Sequence, residues 1–246
     1  VTRTFAKTAT PGARLDAEAD GLAALRATKT VRVPSIHGLD DRGLALEWLD
    51  LRPLDARSGA ALGTALAALH RVPQERYGWS RDNYIGATPQ LNVWCPSWTE
   101  FFRDRRLRPQ LERAAAGGYA SLQRNGESLL ARIGMLLADH LPAPSLLHGD
   151  LWGGNAGALP DGTPVIFDPA VYVGDRETDL AMTELFGGFP ARFYAAYREA
   201  WPLDQGYALR RELYNLYHLL NHLNLFGAGY LARCESTIAG LLAECP

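Results

Sequence analysis

Sulfur is scarce in this sequence of 246 residues, which carries three cysteines and two methionines. Cys95, Cys234 and Cys245 are an odd number at wide spacings, and suit reduced thiols in a cytoplasm better than a disulfide framework or a zinc site. Long apolar runs are also missing. None approaches the ~18 residues of a membrane-spanning helix and no signal peptide opens the chain, so a cytoplasmic protein with no membrane partner is expected. Charge of one sign is lacking too: 25 Lys and Arg against 27 Asp and Glu leave a formal net charge of −2, which gives no reason to expect nucleic acid or an anionic membrane. There is no internal repeat and no low-complexity tract. The only methionines are Met135 and Met182, and the chain opens Val-Thr-Arg-Thr-Phe-Ala-Lys, already the middle of a strand. That opening points to an alternative start codon at Val1 or to removal of a preceding piece.

What the chain does have is a core. With 47% hydrophobic residues it suffices for one large domain or two unequal lobes. Thr4 to Thr8 is β-prone and stopped by Pro11-Gly12. Ala13 to Ala27 places Leu15, Ala19, Leu22 and Leu25 on one helical face. Val31 to Ile36 and Gly43 to Leu49 read as strands joined by a turn over residues 38–43. These elements make a small α+β lobe over residues 1–51, and residues 52–246 read as a second, mainly helical lobe. There, Leu62, Leu66 and Leu69 mark a helix ending near Arg71, and a loop-rich stretch spans Val72 to Ser97. Helices follow at Trp98 to Ala116 and at Ser121 to Leu141, the latter ended by Pro142-Ala143-Pro144. A hairpin, Ala156 to Leu159 and Thr163 to Phe167 about Pro160-Asp161-Gly162, precedes a helical remainder broken at residues 187–190.

The chemistry concentrates in Leu147-His148-Gly149-Asp150-Leu151-Trp152-Gly153-Gly154-Asn155-Ala156. A strand delivers His-Gly-Asp into a glycine-rich loop that an asparagine ends. Asp168 lies at the far end of the hairpin, so Asn155 and Asp168 can face one pocket. A carboxamide oxygen and a carboxylate suit Mg²⁺, which takes oxygen ligands and keeps substrate phosphates in its shell. Asp150 is then the candidate base beside an attacking hydroxyl, and Asp-x-x-x-x-Asn with a later Asp matches the catalytic-loop spacing of protein kinases. Lys7 on the first strand and Glu18 on the first helix form a candidate ion pair toward the α- and β-phosphates of ATP. Glu47, Trp48 and Leu49 fall where the lobes join, and their backbone groups are candidates for pairing with adenine.

His-Gly-Asp-Leu-Trp-Gly-Gly-Asn, followed by Phe167-Asp168-Pro169-Ala170 and Asp179-Leu180-Ala181-Met182, resembles the fructosamine kinase family, also called ketosamine or ribulosamine 3-kinases and related to aminoglycoside and choline kinases. The likeness runs from Phe5-Ala6-Lys7 through Trp98-Thr99-Glu100-Phe101-Phe102 to Phe226-Gly227-Ala228-Gly229-Tyr230. It implies a two-lobed protein-kinase-like fold, with Asp150 as base, Asn155 and Asp168 as metal ligands, and Lys7 and Glu18 as the phosphate-side pair. The implied reaction is ATP-dependent phosphorylation of the 3-hydroxyl of a ketose on an amine, small-molecule or protein-bound, whose product falls apart and so reverses glycation. A kinase for another alcohol, aminoglycoside- or choline-kinase-like, and a silent pseudokinase remain alternatives. The chain departs from the family at the glycine-rich hairpin expected before the Lys7 strand. That hairpin is absent, and N-terminal truncation is the expected reason.

Further features divide between packing and function. Trp152 offers a flat ring for a sugar or ketosamine arm, and Asp175 is a candidate to meet substrate. His148 is expected to orient the Asp150 loop, and Asp179 to cap a helix or brace that loop. His218 and His222 have zinc-like spacing without a third ligand and read as core or surface histidines. The basic run Arg103 to Arg108 reads as a solvated helix face.

Overall fold

The structure is a computed structural model that describes residues 3–8 and 15–245. The expected turn at Pro11-Gly12 and the helix start at Ala13 lie outside the described residues. Strand β1 (Thr4–Thr8) pairs antiparallel with β3 (Gly43–Glu47), which pairs in turn with β2 (Ile36–Asp40). The register sets Phe5 against Leu46 and Lys7 against Leu44, so Phe5 and Lys7, two apart, share one face. Helix α1 (Leu15–Ala27) packs on that same face, where its fully buried Leu22 and Leu25 join Leu44 and Leu46 in one apolar cluster.

The strand expected at Val31 to Ile36 lies further along. Val31 and Val33 are buried, but residues 31–35 belong to no strand and carry the bridge between Arg32 and Val165, since Pro34 has no N–H to continue a ladder. The hairpin turn is correspondingly tighter, at Asp41-Arg42. The Asp40 carboxylate accepts the N–H groups of Arg42 (2.8 Å) and Gly43 (3.2 Å). All of β2 is exposed, so no apolar alternation marks it.

Helix α2 (Ala56–His70) opens with a reciprocal cap: Ser58 N–H donates to Asp55 (2.7 Å) and Asp55 N–H to Ser58 Oγ (2.9 Å). The stretch expected as loop over 72–97 holds a small hairpin, β4 (Asn83–Ile85) and β5 (Thr88–Gln90). Its buried side chains include Asn83, Thr88 and Gln90, polar residues that a hydrophobic pattern cannot find. Helix α3 (Trp98–Phe102) runs through a π-helical turn, Arg103–Leu107, into α4 (Arg108–Ala116). Helix α5 (Ser121–Leu136) stops short of the expected Leu141, where His140 is drawn inward to Asp175 (2.6 Å).

Strand β6 (Pro144–Leu147) pairs with β9 (Tyr172–Asp175), a strand the sequence pattern did not reveal, and between them lies the expected hairpin, β7 (Ala156–Ala158) and β8 (Pro164–Ile166). Helix α6 (Glu177–Leu185), α7 (Ala191–Ala200), α8 (Tyr207–Phe226) and α9 (Leu231–Ala243) complete the chain, with a second break at residues 201–206 besides the one at 187–190. One apolar cluster runs from Leu22 and Leu44 through Leu62 and Leu146 to Phe193, so the small sheet and the helical body share a core. No helix among the described residues is long and apolar enough to cross a membrane.

Candidate active site

The loop after β6 is held from behind. His148 N–H and Gly149 N–H donate to the two oxygens of Asp179 on α6, at 2.8 and 2.9 Å. Asp179 Oδ2 also accepts His70 Nε2–H from α2 (3.2 Å), and Tyr197 of α7 completes the chain through His70 Nδ1 (2.8 Å). Burial works against charge on Asp179, but His70 and the backbone donors hold its carboxyl below the usual carboxylate range. Asp179 is thus a loop brace rather than a helix cap. His148 is neutral, since burial lowers its pKa. Its Nε2–H donates to the Phe167 carbonyl (3.0 Å) while Nδ1 accepts Asp150 N–H (3.3 Å), so the ring clamps the base's backbone to the end of the β7–β8 hairpin. Gly149 sits at φ +82°, and a Cβ there would stand 2.0 Å from the Ala170 carbonyl, so only glycine lets the chain enter the loop this way.

Asp150, Asn155 and Asp168 converge in front of this frame. Asn155 Nδ2 donates to Asp150 O (2.9 Å), Asp150 Oδ2 (3.4 Å) and Asp168 O (3.4 Å), which commits the amide nitrogen to the protein. Burial pushes the Asp150 carboxyl up to about 7, with Asp168 and Asp179 adding repulsion. Asp168 has a left-handed backbone (φ +59°), a conformation rare outside glycine but tolerated by Asp, and Pro169 follows it. Lys7 Nζ reaches both Glu18 oxygens (2.8 Å) and Asp168 Oδ1 (2.7 Å), tying β1, α1 and the hairpin end to one ammonium. Burial opposes the Lys7 charge, yet these carboxylates hold its pKa above the ordinary value.

Two cavities meet at this point. A cleft of about 220 Å³ lies between the lobes, largely apolar, lined by Phe5, Leu46, Leu51 and Phe167 together with Lys7, Glu47, Trp48 and Leu49. The N–H of Glu47 donates to Ser35 O (2.8 Å) and that of Trp48 to Arg3 O (3.3 Å). Neither amide is open to a ligand, which corrects the expectation for those two donors. The Glu47 carboxylate is held at about 2: burial alone would raise it, but Arg32 (2.5 Å) and Ser35 N–H (3.0 Å) outweigh burial. A second, more polar cavity of about 190 Å³ is lined by Asp150 and Asp168 together with Glu18, Asn83, Tyr84 and Gly86.

Asp175 does not join the site, which corrects its expected contact with substrate. It is 1% exposed and accepts His140 Nε2–H and Tyr214 O–H, both at 2.6 Å, inside the helical body. Trp152 is half-exposed, edge-on to Phe186 at 6.5 Å, and is not among the residues that line either cavity. His218 and His222 serve packing: burial brings the His218 imidazole down to about 3, and His222 Nδ1–H donates to the His218 carbonyl (2.8 Å). Arg106 of the basic run is fully buried rather than solvated, donating to Leu91 O (2.6 Å) and Asn92 Oδ1 (2.7 Å).

A small sheet with a Lys–Glu pair, a cleft, and a helical body carrying the Asp150–Asn155–Asp168 set define the protein-kinase-like class of phosphotransferases. Comparison with known proteins narrows the class. The family model described as fructosamine kinase matches residues 2–244. A probable ketoamine kinase of Synechocystis sp. is 48% identical over 229 residues, covering 90% of this chain and 76% of the relative. The chloroplastic protein-ribulosamine 3-kinase of Arabidopsis thaliana is 38% identical, covering 92% of this chain and 71% of the relative. Among solved structures, a "putative fructosamine-3-kinase" of Thermobifida fusca superposes with a TM-score of 0.91 at 38% identity, covering 98% of this chain and 86% of that one. Choline kinase LicA of Streptococcus pneumoniae, at 15% identity and a TM-score of 0.65 over 98% of this chain and 86% of that one, shares the fold. The chain belongs to the fructosamine kinase family.

Proposed function

We propose that the protein transfers the γ-phosphoryl group of ATP to the 3-hydroxyl of a ketosamine, a ribulosamine or fructosamine adduct on a free or protein-bound amine. Residues up to 51 serve as the nucleotide lobe and the remainder as the catalytic lobe. The observation that carries this reading is the convergence of Lys7, Asp150, Asn155 and Asp168 at the junction of an apolar cleft and an acidic cavity. The adenine ring lies in the apolar cleft between Phe5, Leu46 and Phe167, with the Leu49 amide toward its edge. Lys7 meets the α- and β-phosphates.

The residues fit Mg²⁺. The Asn155 amide nitrogen is committed to the loop, which turns the carboxamide oxygen outward, and the Asp168 side chain is half-exposed in the cleft. Asn155 and Asp168 would hold the ion, which when bound neutralises phosphate charge. Asp150 orients the acceptor hydroxyl and takes its proton as the hydroxyl oxygen bonds to the γ-phosphorus. The bond from that phosphorus to the β–γ bridging oxygen breaks, and ADP leaves. Burial raises the Asp150 carboxyl in the unliganded protein, which makes it a stronger proton acceptor than an ordinary carboxylate. Trp152, two residues past the base and half-exposed, covers the acceptor's outer arm in this reading.

ATP turnover on a ribulosamine, a fructosamine and an aminoglycoside, with Asp150→Asn as control, tests the reading. Turnover on a ketosamine that Asp150→Asn abolishes is expected. Nucleotide binding with no turnover on any of the three would sink the assignment and favour a silent binding module.

A further inference from the structure

Asp168 stands on a strained span of backbone. Its φ of +59° is a left-handed conformation that a non-glycine residue keeps where its surroundings over-determine it, and Pro169 after it has no N–H to be pinned by. The span is held from both ends. Before it, Phe167 N–H donates to Asn155 O (3.0 Å) and His148 Nε2–H to Phe167 O (3.0 Å). After it, Ala170 N–H donates to His148 O (2.9 Å), and the next carbonyls are taken by side chains of the β4–β5 hairpin. Ala170 O accepts Gln90 Nε2–H (3.1 Å) and Val171 O accepts Asn83 Nδ2–H (2.6 Å).

We propose that Gln90 is a positioning residue for Asp168, a buried carboxamide that keeps the Asp168 carboxylate where it can hold Mg²⁺. The role rests on the phosphotransfer reading, in which Asp168 is a metal ligand. Gln90 is 1% exposed, and its carboxamide is committed in three directions. Its Nε2 donates to Asn83 Oδ1 (2.8 Å) as well as to Ala170 O, and its Oε1 accepts Tyr217 O–H from α8 (2.8 Å). Asn83 is backed in the same way. Its Oδ1 accepts Asn92 Nδ2–H (2.9 Å), and Asn92 Oδ1 accepts the fully buried Arg106 guanidinium (2.7 Å). Two relays, Tyr217 to Gln90 to Ala170 and Arg106 to Asn92 to Asn83 to Val171, thus run from the helical body to the backbone just past Asp168. The bond between Gln90 and Asn83 cross-links them.

Ala170 is where the two halves of the site meet. Its N–H holds the His148 carbonyl, and its own carbonyl lies so close to Gly149 that a Cβ there would stand 2.0 Å from it. Removing the Gln90 donor strips a bond from this buried carbonyl, and the segment turns to recover one, carrying Asp168 with it. Bonds that orient a metal ligand from behind are typically worth about 10–100-fold in metal affinity or activity. The loss falls first on the metal side and reaches the Asp150 loop through the contact of Ala170 with Gly149.

Calorimetric titration with a non-hydrolysable ATP analogue, in EDTA and at rising Mg²⁺, tests this in Gln90→Met, which keeps the side chain's length and removes its donors. Affinity in EDTA is expected to match the parent, while the gain that Mg²⁺ confers falls about tenfold, and kcat on a ketosamine about tenfold with it. Tyr217→Phe frees the Gln90 oxygen and leaves its donors in place. It should show a smaller loss in the same direction, and it decides the matter alone if Gln90→Met does not fold. Ile238→Ala, a core truncation on α9, lowers the thermal midpoint without touching these bonds and should keep the parent's response to Mg²⁺. A parental gain from Mg²⁺ in the folded Gln90 and Tyr217 variants, or an equal loss in Ile238→Ala, overturns the inference and leaves Gln90 a structural residue. Asp168→Asn, run alongside, should lose the whole gain. If it keeps the gain, Asp168 is no metal ligand, and that reading falls together with the role of Gln90.

Discussion

Asp150 carries a conflict between folding and chemistry that a single substitution can expose. In the metal-free protein its carboxyl is held near 7 against an ordinary value of 3.8, first by burial and then by Asp168 and Asp179. A carboxyl whose pKa is raised by folding binds its proton more tightly in the folded state. Stability is therefore greatest below the ordinary value and is lost as pH climbs toward 7. Asp150→Asn removes the titration while keeping the shape. We expect it to be more stable than the parent at pH 8, by at most roughly 4 kcal/mol, and indistinguishable from it at pH 3 to 4. Urea unfolding midpoints in EDTA across that range measure the difference, and a constant or inverted gap would show that Asp150 ionises without penalty. The same residue was the easiest to find from sequence, because spacing to Asn155 and Asp168 is a local property of one loop and one hairpin. Asp175 was misplaced for the opposite reason. It is near Asp168 in sequence, but β9 carries it into the helical body, and only the long-range bonds to His140 and Tyr214 reveal where it points.

At the scale of the element, the loop from His148 to Asn155 owes its shape to α6. Asp179→Ala would leave two buried backbone N–H groups and His70 without their acceptor. The expected cost is about 3–5 kcal/mol of stability, with a loss of about 100-fold or more in kcat as Asp150 drifts from position. Asp179→Asn, which retains one acceptor oxygen, should lie between. Because folding depresses the Asp179 pKa, its contribution is present above the ordinary carboxylate range and lost as pH falls from there through the lower folded value, so parent and variants converge only in acid below that range. Equal activity in Asp179→Ala and the parent would mean that His148 and Gly149 hold the loop unaided. Elements were legible where apolar periodicity marks them: α1, α2 and α5 follow their leucines, and β7 and β8 follow the Pro-Asp-Gly turn between them. The ones that escaped have physical reasons in common. Strand β2 is exposed throughout, and the β4–β5 hairpin buries amides instead of aliphatics, so in each case the stabilising partners are backbone or side-chain groups distant in sequence.

At the scale of the molecule, the two lobes are tied by polar bonds from both α1 and β1. Trp79 Nε1 donates to Asp20 of α1 (2.8 Å) and Arg81 pairs with Asp16, fastening the segment before the β4–β5 hairpin to the small lobe. Within the cleft, Lys7 of β1 reaches Asp168 of the helical lobe. A nucleotide in the cleft touches both lobes at once, so its binding free energy appears as stability of the whole fold. At about 100 times Kd it adds about 2.7 kcal/mol, which for a chain of this size is a rise of roughly 5–10 °C in Tm. With Mg²⁺ present ATP should give that full rise, and with EDTA a smaller one. Lys7→Ala should lose most of the rise under both conditions, because the phosphates lose their cation. Asp168→Asn should keep the rise seen in EDTA and lose only the increment that Mg²⁺ adds. The two variants thus separate phosphate binding from metal binding. If the parent's rise were the same with Mg²⁺ and EDTA, and Asp168→Asn matched it, Asp168 would not be a metal ligand, and its ion pair with Lys7 would be its whole role in the cleft.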